Sequence, residues 1–294
     1  MRSSHPVTIR ESTNTLRDAS LDTLVETINK DAALLQTLIA NVDIDISAGG
    51  KRKGQITDYA ELSGIILLRK PVTIRMMVKA PMVGNSVAVM VSNGRTFQLS
   101  LPTRNEFRVG SNQLVGKPSD NPIENLRPQI ITDALLFQPI DPANEIAVLE
   151  QGTEIVKDLK THKDAEQPDY VVIVLTKAPA GAYLSRKIIF SREDLRPRAQ
   201  YIYDRQGQLV TYARYENVAD HGGIMFPDVI DIQRPVEEFS VRLAVTKLRV
   251  NETIQDDQFD LQQPAGSKLI NLDNKNTSAD TRVEPKQDWA KSPQ

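Results

Sequence analysis

The chain has 294 residues and a formal net charge of -2, with 38 acidic and 36 basic side chains. A nearly neutral chain lacks the general field that draws a protein to nucleic acid or to an anionic membrane surface, so we expect no nucleic-acid partner. The sequence has no cysteine, which excludes disulfides, thiolate metal ligands and thiol nucleophiles.

The first predicted element is an amphipathic helix near residues 20 to 39. Ser20 can cap its first turn, and apolar residues recur at helical spacing from Leu21 to Ile39. The residues ahead of it are polar and contain no apolar segment of the kind that a secretory signal needs. We therefore predict a flexible N-terminal arm over 1–18, followed by a helix that packs on a sheet.

After this helix the apolar period changes from about 3.6 residues to 2, which is typical of β-strands. Strand-like runs follow one another from Tyr59 to Val109, and "NG" at Asn93 and Gly94 indicates a hairpin turn. One side of these runs is apolar and the other is mostly polar. The pattern predicts an antiparallel meander with a buried face and a solvated face.

A helical insertion divides the predicted sheet. In "SDNPIENLRPQIITDALLF", Pro122 and Pro128 suit first helical turns, and apolar residues recur from Ile130 to Leu135. Strand-like runs then continue almost to residue 251 without a helical pattern between them. This arrangement favours antiparallel strands over parallel β-α-β units.

One of these later runs, "QYIYDRQGQLVTYARYEN", predicts a simple hairpin. Asp204 and Gly207 lie between two segments rich in Tyr, Ile, Val and Thr. The stretch contains neither a nucleophile with a base nor a metal cluster, so it is not a catalytic motif. From Asp273 the composition becomes polar, and we predict a disordered tail over 273–294 in which Trp289 is the one residue able to anchor the chain.

The predicted fold class is mainly β (α+β). A meander of roughly eleven strands is too long to stay flat, so we expect a strongly curved antiparallel sheet that forms a half-open barrel. The helices can then cover the concave apolar face of this sheet. The same period-2 runs do not show which face of each strand lies inward.

A trough between the helical cover and the sheet is the predicted ligand site. A helix does not interdigitate fully with a strongly curved sheet, and methionines provide an adaptable apolar lining. An ordinary filled core is the alternative that the same pattern leaves open. Strand and helix periods give six candidate lining residues: Val72, Ile74, Met76, Val89, Ile130 and Leu135.

The second half of the chain carries motifs that resemble those of a known family. A "YD.QG.LV" hairpin, an "FP..I.I" strand, a strand ending in "VN" and a closing "F.L..P.G" follow in this order. The chain is similar here to the LolA/LolB-like outer-membrane lipoprotein carrier superfamily, and "GIILLRKPVTIRMMVKAP" with the opening helix is similar to a lipoprotein branch of it. The matching residues are Tyr203, Asp204, Gly207, Leu209, Val210, Phe226, Pro227, Ile230, Ile232, Val250, Asn251, Phe259, Leu261, Pro264 and Gly266.

The resemblance implies a half-barrel domain over 19–272 in the bacterial periplasm or at the periplasm-facing outer membrane. It implies a trough for the acyl chain of a lipid or lipoprotein, with no cofactor, and it is compatible with an anchor on a lipidated cysteine upstream of the numbered chain. The carrier's lid-closing arginine and protruding apolar loop have no match that we can assign here. A sensor or scaffold lipoprotein with the same fold and no transported ligand is the alternative function.

Catalysis and metal binding are not expected. The three histidines, His5, His162 and His221, do not stand at metal-ligand spacing from one another. Asp220 and His221 could form an acid/base pair, but "DHGG" is more typical of a turn. We predict no catalytic residue and no metal site, and an enzyme built on this scaffold is the second alternative function.

Overall fold

Strands make up most of the described part of the chain. The computed structural model describes residues 10–49, 54, 56–81, 86–112, 127–158 and 160–273. The helices are α1 (Leu21–Leu34) and α2 (Pro128–Leu135). The strands are β1 (Arg10–Glu11), β2 (Thr37–Gly49), β3 (Ile56–Arg69), β4 (Thr73–Lys79), β5 (Ser86–Ser92), β6 (Thr96–Leu101), β7 (Glu106–Ser111), β8 (Glu145–Lys157), β9 (Asp164–Ala178), β10 (Gly181–Ser191), β11 (Pro197–Tyr203), β12 (Leu209–Asp220), β13 (Met225–Arg234), β14 (Phe239–Val250) and β15 (Lys268–Asn271).

The described strands form one open sheet of fifteen strands. Across the sheet the order is β1-β9-β10-β11-β12-β13-β14-β2-β3-β4-β5-β6-β7-β15, and β8 pairs with β9 outside this series. Most neighbours run antiparallel, as predicted, whereas β1 and β15 pair in parallel with β9 and β7. The sheet therefore has more strands than the roughly eleven that we predicted. Two of the additional strands, β1 and β15, are too short to leave a periodic pattern in the sequence.

The sheet has an inner face, against which both helices pack, and an opposite outer face. Cross-strand register places one row of side chains on the inner face: Ile188, Gln200, Ala213, Ile232, Val241 and Ile46. Leu24 and Ile28 of α1 share an apolar cluster with Ile188. The cluster that contains Ile232 and Val241 also includes four residues of α2: Ile130, Ile131, Ala134 and Leu135. Both helices thus bury their apolar sides on the same face.

α1 begins where the sequence predicts but ends earlier. Ser20 caps it by accepting a hydrogen bond from a backbone N–H of the first turn. The helix ends at Leu34 and Ile39 belongs to β2, so the prediction of a helix to residue 39 is wrong. Asn251 sets this end, because its Nδ2 donates to the Leu34 carbonyl at 2.9 Å and its Oδ1 accepts from Gln36 N at 2.8 Å.

α2 begins at Pro128, as the sequence predicts. Proline is favoured at the first helical position because an N–H there would have no partner in the helix. The predicted first turn at Pro122 lies outside the described residues. Six of the residues of α2 are buried: Pro128, Ile130, Ile131, Thr132, Ala134 and Leu135.

The segment after β14 covers part of the outer face. Ile254 and Phe259 form a small apolar cluster there with Val91 of β5. Arg69 lies over the Phe259 ring at 4.8 Å, and Arg75 donates to two backbone carbonyls of this segment at 2.8 and 3.2 Å. Buried residues therefore lie on both faces of β5, which hides its inward side from sequence reasoning.

The residues before α1 make specific contacts with the β8–β9 hairpin. The backbone N and Oγ1 of Thr13 both donate to the Asp158 carboxylate, at 2.6 and 2.7 Å, and Asn14 Nδ2 donates to Gln167 at 3.0 Å. These contacts fall within the predicted arm over 1–18, of which residues 1–9 lie outside the described part of the chain. The predicted tail beyond residue 273, with Trp289, also lies outside it.

Candidate functional site

A small apolar cavity lies between the two helices and the inner face of the sheet. It is located where the end of α1, the end of α2 and the turn between β12 and β13 meet, and its volume is about 50 Å³. We call it the inner cavity. Its apolar lining comprises Ala32, Leu35, Leu135, Leu136, Phe137, Pro197, Tyr215, Val218, Ile224, Met225, Phe226 and Pro227.

Two polar side chains of the inner face hold the end of α2. Gln200 Nε2 donates to the Asp133 carbonyl at 2.6 Å, and Tyr215 Oη donates to the Ala134 carbonyl at 2.9 Å. Gln200 also donates to Tyr215 Oη at 3.0 Å, so the two side chains form one unit. The last carbonyls of a helix have no hydrogen-bond partner within the helix. These bonds therefore give a donor to two carbonyls at the end of α2.

Arg186 holds the residues that follow α2. Its Nη1 donates to the Gln138 carbonyl at 2.7 Å, and its Nη2 lies 2.9 Å from both carboxylate oxygens of Glu145. The arginine is 7% exposed, so its charge is buried together with that of its partner. We call Gln200, Tyr215 and Arg186 the latch.

Charged side chains border the inner cavity beside the apolar ones. Arg196 Nη1 lies 3.0 Å from Asp31 Oδ2, and Lys70 Nζ donates to the Ala32 carbonyl near the end of α1. Burial lowers the pKa of Lys70, and burial raises the pKa of Asp31 although Arg196 opposes this effect. Two basic groups and one acidic group therefore give this border a positive balance.

Asp133 is a carboxylate on α2 itself. Burial raises its pKa from 3.8 to about 6, while a hydrogen bond from Gln129 and the charges of Arg234 and Arg186 act in the opposite direction. An ordinary aspartate is fully ionised at this pH. α2 therefore carries a group that gains a proton just below neutral pH.

The structure brings four of the six predicted lining residues into one core: Ile74, Met76, Ile130 and Leu135. Leu135 also lines the inner cavity. Val72 lies in the turn before β4, where it packs against Gly94. Val89 pairs with Met77 and lies on the outer face, so the prediction that it shares a face with the other residues is wrong. The uninterrupted apolar run in β5 gave no period from which to assign it.

Sequence reasoning missed the latch. Gln200 and Tyr215 lie in the hairpin that we interpreted as plain strands, and alternation there does not show which face receives the helices. Gln200 pairs with Ala213 across the two strands, on the inner face. A polar residue opposite a small residue, on a face that is otherwise apolar, is the one signal that could have indicated a nearby helix end.

Among the described residues there is no group of three or more side chains placed to hold a metal ion. Asp220 Oδ1 accepts a hydrogen bond from Gly223 N at 2.6 Å, which fits the predicted turn around His221. His221 Nε2 lies 3.4 Å from a carboxylate oxygen of Asp228. In the same part of the chain, no helix is both long enough and apolar enough to cross a membrane.

Comparison with known proteins identifies the fold. No protein-family model matches the chain, and neither does any curated protein. A LolA superfamily protein from Nitrosomonas europaea matches with a TM-score of 0.50 and 14% identity, over 83% of this chain and 99% of that chain. A DUF1329 family protein from Desulfovibrio piger matches with a TM-score of 0.51 and 15% identity, over 82% of this chain and 95% of that chain. The chain therefore has a LolA-like fold, as its motifs predicted.

Proposed function

We propose that this protein binds the acyl chain of a lipid or lipoprotein between its helices and the inner face of the sheet. It acts without catalysis in the bacterial envelope, in the periplasm or at the periplasm-facing outer membrane. The observation that carries the proposal is the inner cavity, an apolar space under the end of a helix that polar side chains hold in place. The LolA-like fold supports the same function by analogy.

The size of the inner cavity requires α2 to move when a ligand enters. Small-molecule sites occupy roughly 300–1,000 Å³, whereas the inner cavity has about 50 Å³. An acyl chain therefore fits only when α2 and the residues after it separate from the sheet. The chain would then contact Ile74 and Met76 on the sheet and Ile130 and Leu135 on the helix, which are four of the predicted lining residues.

The free energy of burying an acyl chain is large enough to replace the hydrogen bonds that are lost when α2 separates from the sheet. Each buried methylene contributes about 0.8 kcal/mol, so about ten methylenes contribute roughly 8 kcal/mol before ordering costs. Each hydrogen bond of the latch contributes about 0.5–1.5 kcal/mol net. The ligand offsets the lost bonds from Gln200 and Tyr215 and also covers the apolar side of α2, which would otherwise face water.

The border of the inner cavity suits an anionic head group. Lys70 and Arg196 lie beside the apolar lining, and Arg196 already contacts one carboxylate, that of Asp31. A carboxylate or phosphate at this border gains charge-assisted hydrogen bonds from both basic side chains. We therefore expect fatty acids and phospholipids to bind better than uncharged hydrocarbons.

A pair of matched variants on α1 tests the site. Ala32 lines the inner cavity and is buried, whereas its neighbour Ala33 is exposed. Ala32→Leu adds bulk to the lining of the inner cavity and should weaken the binding of a fluorescent fatty-acid probe at least about tenfold, or about 1.4 kcal/mol. Ala33→Leu makes the same change in solvent and should leave the affinity unchanged. Equal affinities for the two variants would show that the probe binds elsewhere.

The small volume of the inner cavity also favours one alternative, a sensor or scaffold that uses the same fold with a filled core. In that case the wild-type protein binds no fatty-acid probe at any accessible concentration. The probe titration therefore separates the two functions without any variant.

A further inference from the structure

A second and much larger cavity lies on the outer face of the sheet. Its volume is about 930 Å³, within the range of roughly 300–1,000 Å³ that small-molecule sites occupy. The tip of the β8–β9 hairpin forms one wall, and β10, β11 and β12 form the floor. We call it the outer cavity. One row of its floor follows the strand register: Val171, Ile189, Ala199 and Arg214.

Two tyrosines give the outer cavity an aromatic surface. Tyr201 and Tyr212 pair across β11 and β12, and their ring centroids lie 4.7 Å apart. Val171 and Ala199 beside them are buried, although they point away from the inner face. Aromatic faces attract cations and apolar groups alike. The floor therefore suits an organic molecule with a positive charge.

The charges that line the outer cavity have an acidic excess. Five acidic side chains face three basic ones: Glu154, Asp164, Asp169, Glu193 and Glu216 against Lys157, Arg198 and Arg214. Each basic group already has a carboxylate nearby. Lys157 lies 2.6 Å from Asp164, Arg198 lies 2.9 Å from Asp194, and Arg214 lies 3.4 Å from Glu216. The basic groups therefore leave part of the acidic charge uncompensated.

Asp169, Glu154 and Glu193 have no such partner among the described residues, although Glu193 accepts a hydrogen bond from Asn14 Nδ2 at 2.6 Å. Asp169 is 4% exposed, and its Oδ1 is buried with no hydrogen-bond donor among the described residues. Burial raises the pKa of Asp169 and of Glu154, and the charge of Asp169 raises that of Glu154 further. Buried polar atoms without partners are costly and uncommon, so Asp169 Oδ1 requires an explanation.

Gly152 leaves room for the Asp169 carboxylate. It lies opposite Asp169 in the β8–β9 pairing, and a Cβ atom at Gly152 would come within 2.3 Å of Asp169 Oδ1. Any other residue would displace the carboxylate from the wall of the outer cavity. Backbone N–H groups of Gly152 and Asp169 oppose the effect of burial on the pKa of this carboxyl group, but Oδ1 itself has no hydrogen-bond partner among the described residues.

We propose that the outer cavity binds an organic ammonium compound with an apolar body. Asp169 and Glu154 hold the positively charged nitrogen, and Tyr201 and Tyr212 contact the apolar body. A divalent metal ion needs more oxygen ligands than these two carboxylates supply, and the described residues contain no larger set. Free alkyl amines and the ethanolamine or choline head group of a lipid share this chemistry.

Calorimetric titration of the full chain with three small probes tests the role of charge. Hexylammonium, hexanol and hexanoate have the same carbon chain and differ in charge. We expect hexylammonium to bind at least about tenfold more tightly than hexanol, and hexanoate to bind more weakly than either. Equal affinities for hexylammonium and hexanol would overturn the proposal.

Matched carboxylate variants then locate the charge. Asp169→Asn combined with Glu154→Gln should weaken hexylammonium binding at least about tenfold. Glu26→Gln changes an exposed acidic residue of α1 that does not line the outer cavity, and it should retain the wild-type affinity. Wild-type affinity in the double variant would contradict the assignment.

A measurement on the wild-type protein keeps the test valid if the double variant does not fold. Hexylammonium should shift the amide NMR signals of Gly152 and Tyr212 and leave that of Leu135 unchanged. Shifts confined to Leu135 and its neighbours would place the probe in the inner cavity and overturn the proposal.

Vesicles distinguish the two sources of the ammonium group. If the ligand is a lipid head group, the protein should co-sediment with phosphatidylethanolamine vesicles and hexylammonium should release it. If the ligand is a free amine, hexylammonium should bind while the protein stays in the supernatant. Co-sedimentation that the double variant retains in full would count against the outer cavity as the head-group site.

Discussion

Replacing Tyr215 with phenylalanine distinguishes an α2 that moves from an α2 that is fixed. The tyrosine hydroxyl donates to the Ala134 carbonyl at 2.9 Å and accepts from Gln200 at 3.0 Å, and the residue is 3% exposed. Tyr215→Phe removes one oxygen atom and keeps the ring, so it creates almost no empty space. In the closed state, with α2 on the sheet, the Ala134 carbonyl then loses its donor.

The expected magnitude follows from this lost partner. A buried polar group without a hydrogen bond costs about 1–3 kcal/mol, so the free energy of unfolding should fall by that amount. When α2 is open, water reaches the Ala134 carbonyl and the cost disappears. The open state therefore gains about 1–3 kcal/mol relative to the closed state, which is a factor of roughly 5–150. The affinity for a fatty-acid probe should rise by up to this factor.

Urea unfolding and probe titration measure the two quantities separately. Gln200→Leu removes the other donor to α2 without altering the lining of the inner cavity, so it should act in the same direction. Tyr201→Phe removes a hydroxyl on the outer face and should leave the affinity for the fatty-acid probe unchanged. Lower stability without higher affinity in Tyr215→Phe and Gln200→Leu would refute the opening of α2.

Three further changes test single elements. Burial raises the pKa of Asp133 to about 6, so the free energy of unfolding should fall by at most about 3 kcal/mol as pH rises from about 4 to 6. Asp133→Asn should not show this fall, and the variant should therefore melt at a higher temperature than wild type at pH 7. Asn251→Ala deprives the Leu34 carbonyl and Gln36 N of their partner and should lower the free energy of unfolding in urea by about 1–3 kcal/mol. Hydrogen bonds from Thr13 hold the pKa of Asp158 well below its usual range, so wild type should melt above Asp158→Asn at pH 7. This advantage should begin to shrink below about pH 4 and keep shrinking as pH falls through the depressed pKa. An advantage that grows as pH is lowered from 4 to 2 would contradict this.

Local signals predicted the elements whose causes are local. The Ser20 cap accepts its hydrogen bond from within the first turn of α1, and the Asp204–Gly207 turn closes on itself, with Gly207 N donating to the Asp204 carbonyl at 3.0 Å. The strand periods likewise predicted a mainly β chain. The family motifs predicted more than single elements, because they indicated the LolA-like fold.

The features that the sequence did not predict depend on contacts between distant parts of the chain. α1 ends at Leu34 because Asn251 binds Gln36, 215 positions earlier in the chain. Val89 was assigned to the wrong face because the segment around Phe259 covers the outer side of its neighbour Val91. The latch and the outer cavity both depend on cross-strand register, which no single strand contains.

The central claim is that an acyl chain occupies the space between α2 and the inner face. Mass spectrometry of organic extracts from natively purified protein tests it most directly, with the Ala32→Leu and Ala33→Leu variants purified alongside. We expect co-purified acyl species in wild type and in Ala33→Leu, and their depletion in Ala32→Leu. Extracts without acyl species, or with equal amounts in all three proteins, would contradict it.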